Sequence, residues 1–194
     1  MVQAGWLTCL SLLARLQLFE VVNRTTIPIT NMYPTHIERS VALQDQGIAW
    51  IKLGGFLDYT ADAPGDNDTL SALLRYKSKG VDMSHVTLSS DAYGSLPVFD
   101  DAGNLLYYGV AMPDNVINLL RKLVLDYGWS IEEAFRLVTT NTADILLFDD
   151  KGRLAVGKDA DILVLDPKTL AVQYVFARGA FMKTPTWVAT GMFG

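Results

Sequence analysis

Residues 56–91 read FLDYTADAPGDNDTLSALLRYKSKGVDMSHVTLSSD, and this stretch contains one complete strand–helix–strand unit. Residues 56–59 predict a strand, and residues 61–68, rich in Asp, Pro and Gly, predict a loop. Residues 69–79 predict a helix that ends at a glycine, and residues 86–89 predict a second strand. Because a helix connects the two strands, we expect the strands to run parallel and the helix to cover their sheet.

The residues before this unit repeat its pattern. A helix is predicted over residues 10–22, because its apolar residues follow a helical period. A short strand is predicted over residues 29–33. A further helix is predicted over residues 41–53, where Gly54 and Gly55 stop it, since glycine tolerates the left-handed conformation.

Downstream, Pro113 suits the first turn of a helix that runs to about residue 127. Ser130 and Glu133 form a capping box that opens a helix to about residue 138. Another short helix is predicted over residues 140–146.

From Gly152 onward the helical period disappears, and residues 162–165 and 172–176 predict β-strands. The predicted fold class is therefore α/β, with parallel strands and outer helices followed by a small β-sandwich element. About three strand–helix units are present, fewer than the eight of a closed barrel of typically about 250 residues.

Composition restricts the function classes. The chain has 194 residues, of which half are hydrophobic, and a formal net charge of −5, without the clustered Lys and Arg that nucleic-acid binding needs. The single Cys9 excludes an internal disulfide and a cysteine zinc site. The apolar run at residues 4–14 lacks the basic start of a signal peptide and is too short to span a bilayer. We expect a cytoplasmic protein that binds neither nucleic acid nor membrane.

Two residues stand directly after predicted strands, where the functional groups of parallel α/β proteins gather. His36 follows the first strand, and a neutral imidazole there can bind zinc or act as a base. Asp91 ends the segment at residues 86–91, just after the second strand, and a carboxylate there can bind a metal and transfer a proton. The competing interpretations are a turn histidine and a helix-capping or turn aspartate.

The other polar candidates are assigned structural roles. His85 precedes its strand and lies about 20 Å from Asp91, at the opposite end. Surface or capping roles are expected for Asp58 and Asp62. The sequence contains no phosphate-binding glycine loop and no nucleophile elbow.

Several motifs together resemble a known family. Residues 139–144 (TTNTAD) and 151–166 (KGRLAVGKDADILVLD) resemble the C-terminal signature of the amidohydrolase superfamily. Residues 34–39 (PTHIER), 87–95 (TLSSDAYGS) and 99–105 (FDDAGNL) narrow the resemblance to isoaspartyl dipeptidases. The resemblance covers about residues 10–183.

The resemblance implies a (β/α)₈ barrel with two zinc ions, bridged by a carboxylated lysine and a hydroxide, that hydrolyses the β-peptide bond of isoaspartyl dipeptides. By motif position, His36 would bind one zinc. Asp91 would bind the other and carry a proton from the attacking water to the leaving amine. Arg39 would bind a substrate carboxylate, which suits a guanidinium group, and Ser95 would contact the other end of the substrate.

The chain departs from the family pattern in its metal ligands. The His-x-His pair, the bridging lysine and one further histidine have no counterpart, so two of six metal-binding residues are present. Zinc needs about four ligands, one of which is often water. We therefore expect residues 10–150 to be the C-terminal part of a barrel and residues 151–183 a β-sandwich segment. We also expect the chain to lack the N-terminal ligands and to be inactive alone. Its expected partner is a second copy of the chain in a homo-oligomer or a missing N-terminal half.

Two alternatives remain open. One is a different amidohydrolase that acts on cyclic or linear amides, against which the pairing of PTHIER with TLSSDAYGS argues. The other is a non-catalytic remnant or a fragment that associates with another chain. An upstream reading frame that encodes His-x-His would argue against the remnant, and substrate profiling would separate the two enzymes.

Overall fold

The computed structural model describes residues 8–10, 17–61, 67–100, 102 and 104–191. The strands within these residues are β1 (Thr8–Leu10), β2 (Met32–Pro34), β3 (Leu57–Thr60), β4 (Val86–Ser89), β5 (Ser95–Phe99), β6 (Leu105–Val110), β7 (Ile162–Leu165), β8 (Val172–Ala177), β9 (Ala180–Thr184) and β10 (Trp187–Val188). The helices are α1 (Gln17–Arg24), α2 (Val41–Lys52), α3 (Asn67–Ser78), α4 (Asp114–Leu125), α5 (Ile131–Phe135) and α6 (Thr140–Ile145).

The first four strands are parallel in pairs. β1 pairs with β2, and β3 pairs with β4 in a register that sets Leu57 opposite Val86. Thr35, directly after β2, reaches across to β3, where its hydroxyl donates to Asp58 at 2.8 Å. The predicted α/β fold with parallel strands is confirmed.

The two faces of β3 differ in polarity, because side chains alternate along a strand. Leu57 and Tyr59 face the helices: a Cβ on Gly47 of α2 would lie 2.8 Å from Leu57 Cδ1, and the Tyr59 ring meets that of Tyr76 of α3 at 5.3 Å. Asp58 and Thr60 therefore face the opposite side. This polar side carries the candidate site.

Most locally encoded elements agree with the predictions to within two residues, but α5 ends at Phe135, three residues before its predicted end. The strand at residues 86–89 and the start of α2 match, and α3 and α4 end near their predicted positions. The capping box is confirmed: the Ser130 hydroxyl accepts from the Glu133 N–H at 3.1 Å, and the Glu133 carboxylate accepts from the Ser130 N–H at 2.9 Å. Residues 62–66 of the predicted loop, including Asp62, lie outside the described residues.

Two predictions near the amino-terminal end were wrong. Residues 8–10 form β1, whereas a helix was predicted to begin at Leu10. Residues 11–16 of that predicted helix lie outside the described residues, and its later part is α1. The predicted strand at residues 29–33 begins with the 3₁₀ turn Ile29–Asn31, and only Met32–Pro34 is extended. A short apolar run is ambiguous between helix and strand, and here parallel pairing with β2 decides.

The segment after β4 contains a hairpin that the sequence did not predict. β5 and β6 pair antiparallel. The predicted turn between them is present, and the Asp100 carboxylate accepts from the N–H groups of Ala102 and Asn104 at 3.0 and 2.8 Å. The strands were missed because β6 is exposed along most of its length and so shows no alternation of apolar and polar residues.

The carboxyl-terminal strands form one antiparallel sheet in the order β10–β9–β8–β7.

Charge pairs hold the segment before this sheet, which begins at Lys151. Lys151 Nζ lies 2.7 Å from Asp159 and 2.6 Å from Asp161, and Arg153 lies 2.7 Å from Asp144 of α6. Gly152 has φ of 76°, and a Cβ there would lie 2.5 Å from Ala143 Cβ, so the turn requires glycine. No helix in the described residues is long and apolar enough to cross a membrane.

Candidate active site

His36 follows β2 in the left-handed conformation, with φ of 60° and ψ of 36°. This conformation is uncommon for residues other than glycine, although histidine is among those that adopt it more often. Three groups approach the imidazole at Nδ1: the Thr60 hydroxyl at 3.0 Å, the Arg39 guanidinium at 3.4 Å and the Glu38 carboxylate at 3.5 Å. The imidazole is therefore held from one edge of the ring.

Glu38 is a charged residue that the sequence analysis did not identify. Its side chain is 3% exposed, and Oε2 accepts from the Thr60 N–H at 3.3 Å. Oε1 is buried without a hydrogen-bond partner and faces His36. A carboxylate immediately after a strand was the available signal, but its buried position depends on the turn Ile37–Arg39.

Asp91 follows β4, is exposed and has φ of 46°. The loop after it requires a glycine, because a Cβ on Gly94 would lie 2.9 Å from Asp91 Cγ and Oδ2. The base of the β5–β6 hairpin holds this loop: Tyr93 N–H donates to Ala111 O at 2.8 Å, and Ala111 N–H donates to Gly94 O at 3.1 Å. The hairpin thereby fixes the segment between Asp91 and Ser95.

His36 and Asp91 line one cavity of about 440 Å³ at the carboxyl-terminal ends of β2, β3 and β4. Its other described lining residues are Tyr33, Thr35, Asp58, Thr60, Thr87, Leu88, Ser89, Thr142, Ile145 and Leu146. Arg39 lies beside His36 and is exposed, and Ser95 begins β5; neither belongs to this lining. The structure thus brings two of the four predicted site residues to a common cavity.

Asp58 corrects a prediction, because it is neither a surface residue nor a cap. It is 5% exposed, and its carboxylate accepts hydrogen bonds from Ser89 at 2.6 Å, Thr35 at 2.8 Å and Thr87 at 2.8 Å. Burial raises the pKa of the Asp58 carboxyl, against the lowering effect of these hydroxyls, and Glu38 adds to the rise. The alternation of Asp58 and Thr60 with apolar residues was the signal that could have identified this polar face.

Asp58 predicts a pH dependence of stability. A carboxyl whose pKa is raised on folding stabilises the protein below its unfolded pKa of about 3.8, and that contribution is lost as pH rises through the folded pKa. The unfolding free energy of the wild type minus that of Asp58→Asn should therefore fall as pH increases above about 4. Urea unfolding of both proteins at several pH values measures this difference. A difference that rises with pH would show that the hydroxyls outweigh burial.

The donor set fits part of a zinc site. An imidazole and a carboxylate are ligands that zinc accepts, and the buried Glu38 Oε1 lies close to the imidazole. Among the described residues, however, no group of three or more His, Cys, Asp or Glu side chains could hold a metal ion. The described residues can therefore supply a metal with part of its ligands.

His85 has the structural position expected of it. It ends the 3₁₀ turn before β4, stacks on Phe56 at 4.8 Å, and its Nδ1 lies 3.0 Å from Gly55 O. A larger cavity of about 700 Å³ lies between α4, α5, α6 and β7, but its lining contains none of the predicted site residues. Of its charged residues, Lys151 pairs with Asp159 and Asp161, and Arg153 pairs with Asp144.

Comparison with known proteins decides the family. Residues 19–194, most of the chain, match the amidohydrolase family. The chain is an amidohydrolase-family member. Amidohydrolases are hydrolytic and typically metal-dependent, which agrees with a donor set of imidazole and carboxylate.

Solved structures narrow the similarity within the amidohydrolases. The β-aspartyl dipeptidase of Fervidobacterium islandicum AW-1 in complex with a β-Asp-Leu dipeptide is 33% identical, with a TM-score of 0.81 over 91% of this chain. A second structure of β-aspartyl dipeptidase from the same organism is 28% identical, with a TM-score of 0.82 over 97% of this chain. The chain spans 46% and 48% of these two proteins, respectively.

A shorter similarity involves an allantoinase. The allantoinase of Escherichia coli O139:H28 is 35% identical over 71 residues, which are 35% of this chain and 16% of that protein. The recognition of an isoaspartyl dipeptidase-like chain therefore rests on the broader structural match, which covers nearly all of the chain.

Proposed function

We propose that this amidohydrolase chain carries part of the active site of a zinc-dependent β-aspartyl dipeptidase. The observation that supports this most is that His36, after β2, and Asp91, after β4, line one cavity. The likeness to β-aspartyl dipeptidases over nearly the whole chain supports the same substrate class. The substrate would be a small dipeptide with a β-aspartyl bond.

The two cavity residues, His36 and Asp91, would have different roles. His36 and Asp91 would hold zinc, which when bound supplies Lewis-acid activation of water and of the amide carbonyl. Asp91 would accept the proton of the attacking water at its carboxylate and donate it to the leaving amine. The exposed position of Asp91 leaves its carboxylate accessible to water and substrate.

Arg39 and Ser95 would bind the substrate. The Arg39 guanidinium beside His36 would pair with a substrate carboxylate through parallel hydrogen bonds. Ser95, at the base of the hairpin, would contact the other end of the dipeptide. Both side chains are exposed, so either can meet a ligand at the mouth of the cavity.

The wider architecture belongs to the same proposal. Residues 10–150 would form part of a (β/α)₈ barrel, and residues 151–183 would form part of a β-sandwich. The remaining zinc ligands would come from outside the described residues or from another chain. The single Cys9 fits a reducing compartment, and the cytoplasm is the location that we propose.

A second candidate is an amidohydrolase that acts on cyclic or linear amides other than β-aspartyl dipeptides. The short match to an allantoinase supports it. The dipeptidase is favoured because its likeness covers 91% of the chain at 33% identity.

Zinc content and hydrolysis of β-aspartyl-leucine by the chain, assayed together with a polypeptide that supplies the remaining zinc ligands, test the proposal. We expect zinc binding that is weakened at least about tenfold by His36→Gln and is unchanged by His85→Gln, the same substitution at a structural histidine. Hydrolysis should follow zinc occupancy and should be selective for β-aspartyl-leucine over α-aspartyl-leucine.

Each other outcome counts against a defined part of the proposal. Cleavage of a cyclic amide in place of β-aspartyl-leucine would favour the second candidate. Zinc binding without cleavage of any of these substrates would contradict the catalytic role of this chain. Zinc binding that is unchanged by His36→Gln would contradict the assignment of His36 as a ligand, while the family match over residues 19–194 would stand.

A further inference from the structure

A row of hydroxyl groups connects His36 to Asp58 across the polar face of the sheet. His36 Nδ1 lies 3.0 Å from the Thr60 hydroxyl. That hydroxyl lies 3.4 Å from the Thr35 hydroxyl, which lies 2.8 Å from Asp58 Oδ2. The row joins a predicted zinc ligand to a buried carboxylate that the proposed mechanism does not use.

The carboxylate gives this row a direction. A hydroxyl has one hydrogen to donate, and the Asp58 carboxyl oxygens accept hydrogen bonds from Thr35, Thr87 and Ser89. Thr35 donates its hydrogen to Asp58, so its oxygen accepts from Thr60. Thr60 has then used its hydrogen, so in its 3.0 Å contact with His36 Nδ1, where either atom can donate, the imidazole becomes the donor.

Ser89 and Thr87 reinforce this direction. Both hydroxyls donate to Asp58, at 2.6 and 2.8 Å, and so occupy its two oxygens with donors. With three hydroxyl donors around it, Asp58 acts as the acceptor at the end of the row.

We propose that Asp58 is a positioning residue that, through Thr35 and Thr60, holds His36 in the tautomer protonated at Nδ1. The lone pair at Nε2 is then available to the cavity. In metal sites generally, a metal-binding histidine donates its other ring N–H to an acceptor, and this hydrogen bond fixes the tautomer. That Nε2 binds zinc rests on the proposed function, whereas the tautomer of His36 does not.

The two other neighbours of Nδ1, Glu38 and Arg39, favour opposite tautomers of His36. The buried Glu38 Oε1, at 3.5 Å, accepts and favours a proton on Nδ1. Arg39, at 3.4 Å, only donates and favours the other tautomer. Thr60 is closer to Nδ1 than Arg39 is, and Glu38 is buried whereas Arg39 is exposed. Thr60 and Glu38 therefore outweigh Arg39 and favour the tautomer protonated at Nδ1.

NMR of the zinc-free chain labelled with ¹⁵N-histidine tests the proposal. The sequence contains only two histidines, so both imidazoles can be assigned by substitution. At about pH 8.5, where an imidazole of ordinary pKa is neutral, long-range ¹H–¹⁵N correlations report which nitrogen carries the proton. His85 is an internal reference, because its Nδ1 faces the Gly55 carbonyl at 3.0 Å.

Substitutions along and beside the row give matched comparisons. In the wild type we expect His36 to show a protonated Nδ1. Thr35→Val removes a hydroxyl that does not contact the imidazole, and the tautomer protonated at Nδ1 should then no longer dominate in His36. Thr35→Ser keeps a hydroxyl and should retain that tautomer. Thr87→Val makes the same change at the other oxygen of Asp58 and should leave the tautomer of His36 unchanged.

The outcomes separate this proposal from the proposed function. A wild-type His36 protonated at Nε2 would overturn it, as would Thr35→Val without effect or Thr87→Val with the same effect. An unchanged His85 signal shows that each variant is folded, and Thr60→Val provides a second interruption of the row. These results are obtained without zinc and without turnover, so a failed hydrolysis assay leaves them intact.

Discussion

Asp91→Asn is expected to lower the hydrolysis of β-aspartyl-leucine by the zinc-loaded chain by about 10²–10⁴-fold, the usual contribution of a general acid–base group. Asparagine keeps the shape of the side chain but cannot carry the proton from water to the leaving amine. The loop around Asp91 should persist, because Gly94 N–H donates to the backbone oxygen of Asp91 at 2.8 Å, a contact that the substitution leaves unchanged. The measurement is kcat/KM for the wild type and the variant at saturating zinc.

The matched control is Asp126→Asn, at the exposed carboxyl-terminal end of α4. This variant should keep the wild-type rate within about twofold, since surface substitutions away from a site have small effects. Zinc content measured in both variants separates a lost proton carrier from a lost ligand. Wild-type hydrolysis by Asp91→Asn at equal zinc content would contradict the role proposed for Asp91.

Asn141→Ala is expected to reduce the free energy of unfolding by roughly 2–4 kcal/mol, because it removes two hydrogen bonds that a buried side chain donates to backbone carbonyls. The Asn141 side chain is 1% exposed, and its Nδ2 donates to Met83 O and Val86 O, both at 2.7 Å. These bonds tie α6 to the start of β4, the strand that leads to Asp91. Urea unfolding with a common m-value measures the change.

Asn104→Ala is the control for Asn141. Its side-chain amide donates to Asp100 at 3.0 Å on the exposed hairpin turn, where water can replace the lost bond. We expect a change within about 0.5 kcal/mol. A similar loss in both variants would show that the contacts of Asn141 with β4 are no more important than an exposed turn contact.

Part of the fold was predictable because its signals are local. The capping box of Ser130 and Glu133 and the turn after Phe99 depend on residues within a few positions of one another. The apolar segment of β4 and the glycine stop after α2 are also short-range patterns. The capping box and the turn agree with the structure because neighbouring residues supply their hydrogen bonds. β4 agrees because its apolar composition is local, although its pairing partner β3 is distant in sequence.

The candidate site was predictable only in part. The positions of His36 and Asp91 after strands predicted a shared cavity, since parallel strands end at the same edge of a sheet. The burial of Asp58 and Glu38 was not foreseen, because each carboxylate is held by groups more than twenty residues away in sequence. Their partners become visible only when β2, β3 and β4 lie side by side.

The sequence by itself determined the family, the α/β class and the two residues after parallel strands, because motifs and periodicity are written in the order of residues. Tertiary structure alone decided that residues 8–10 form a strand, that a hairpin fixes the Asp91 loop and that hydroxyls connect Asp58 to His36. The physical reason is that strand pairing and desolvation depend on groups distant in sequence, which meet only after the chain has folded.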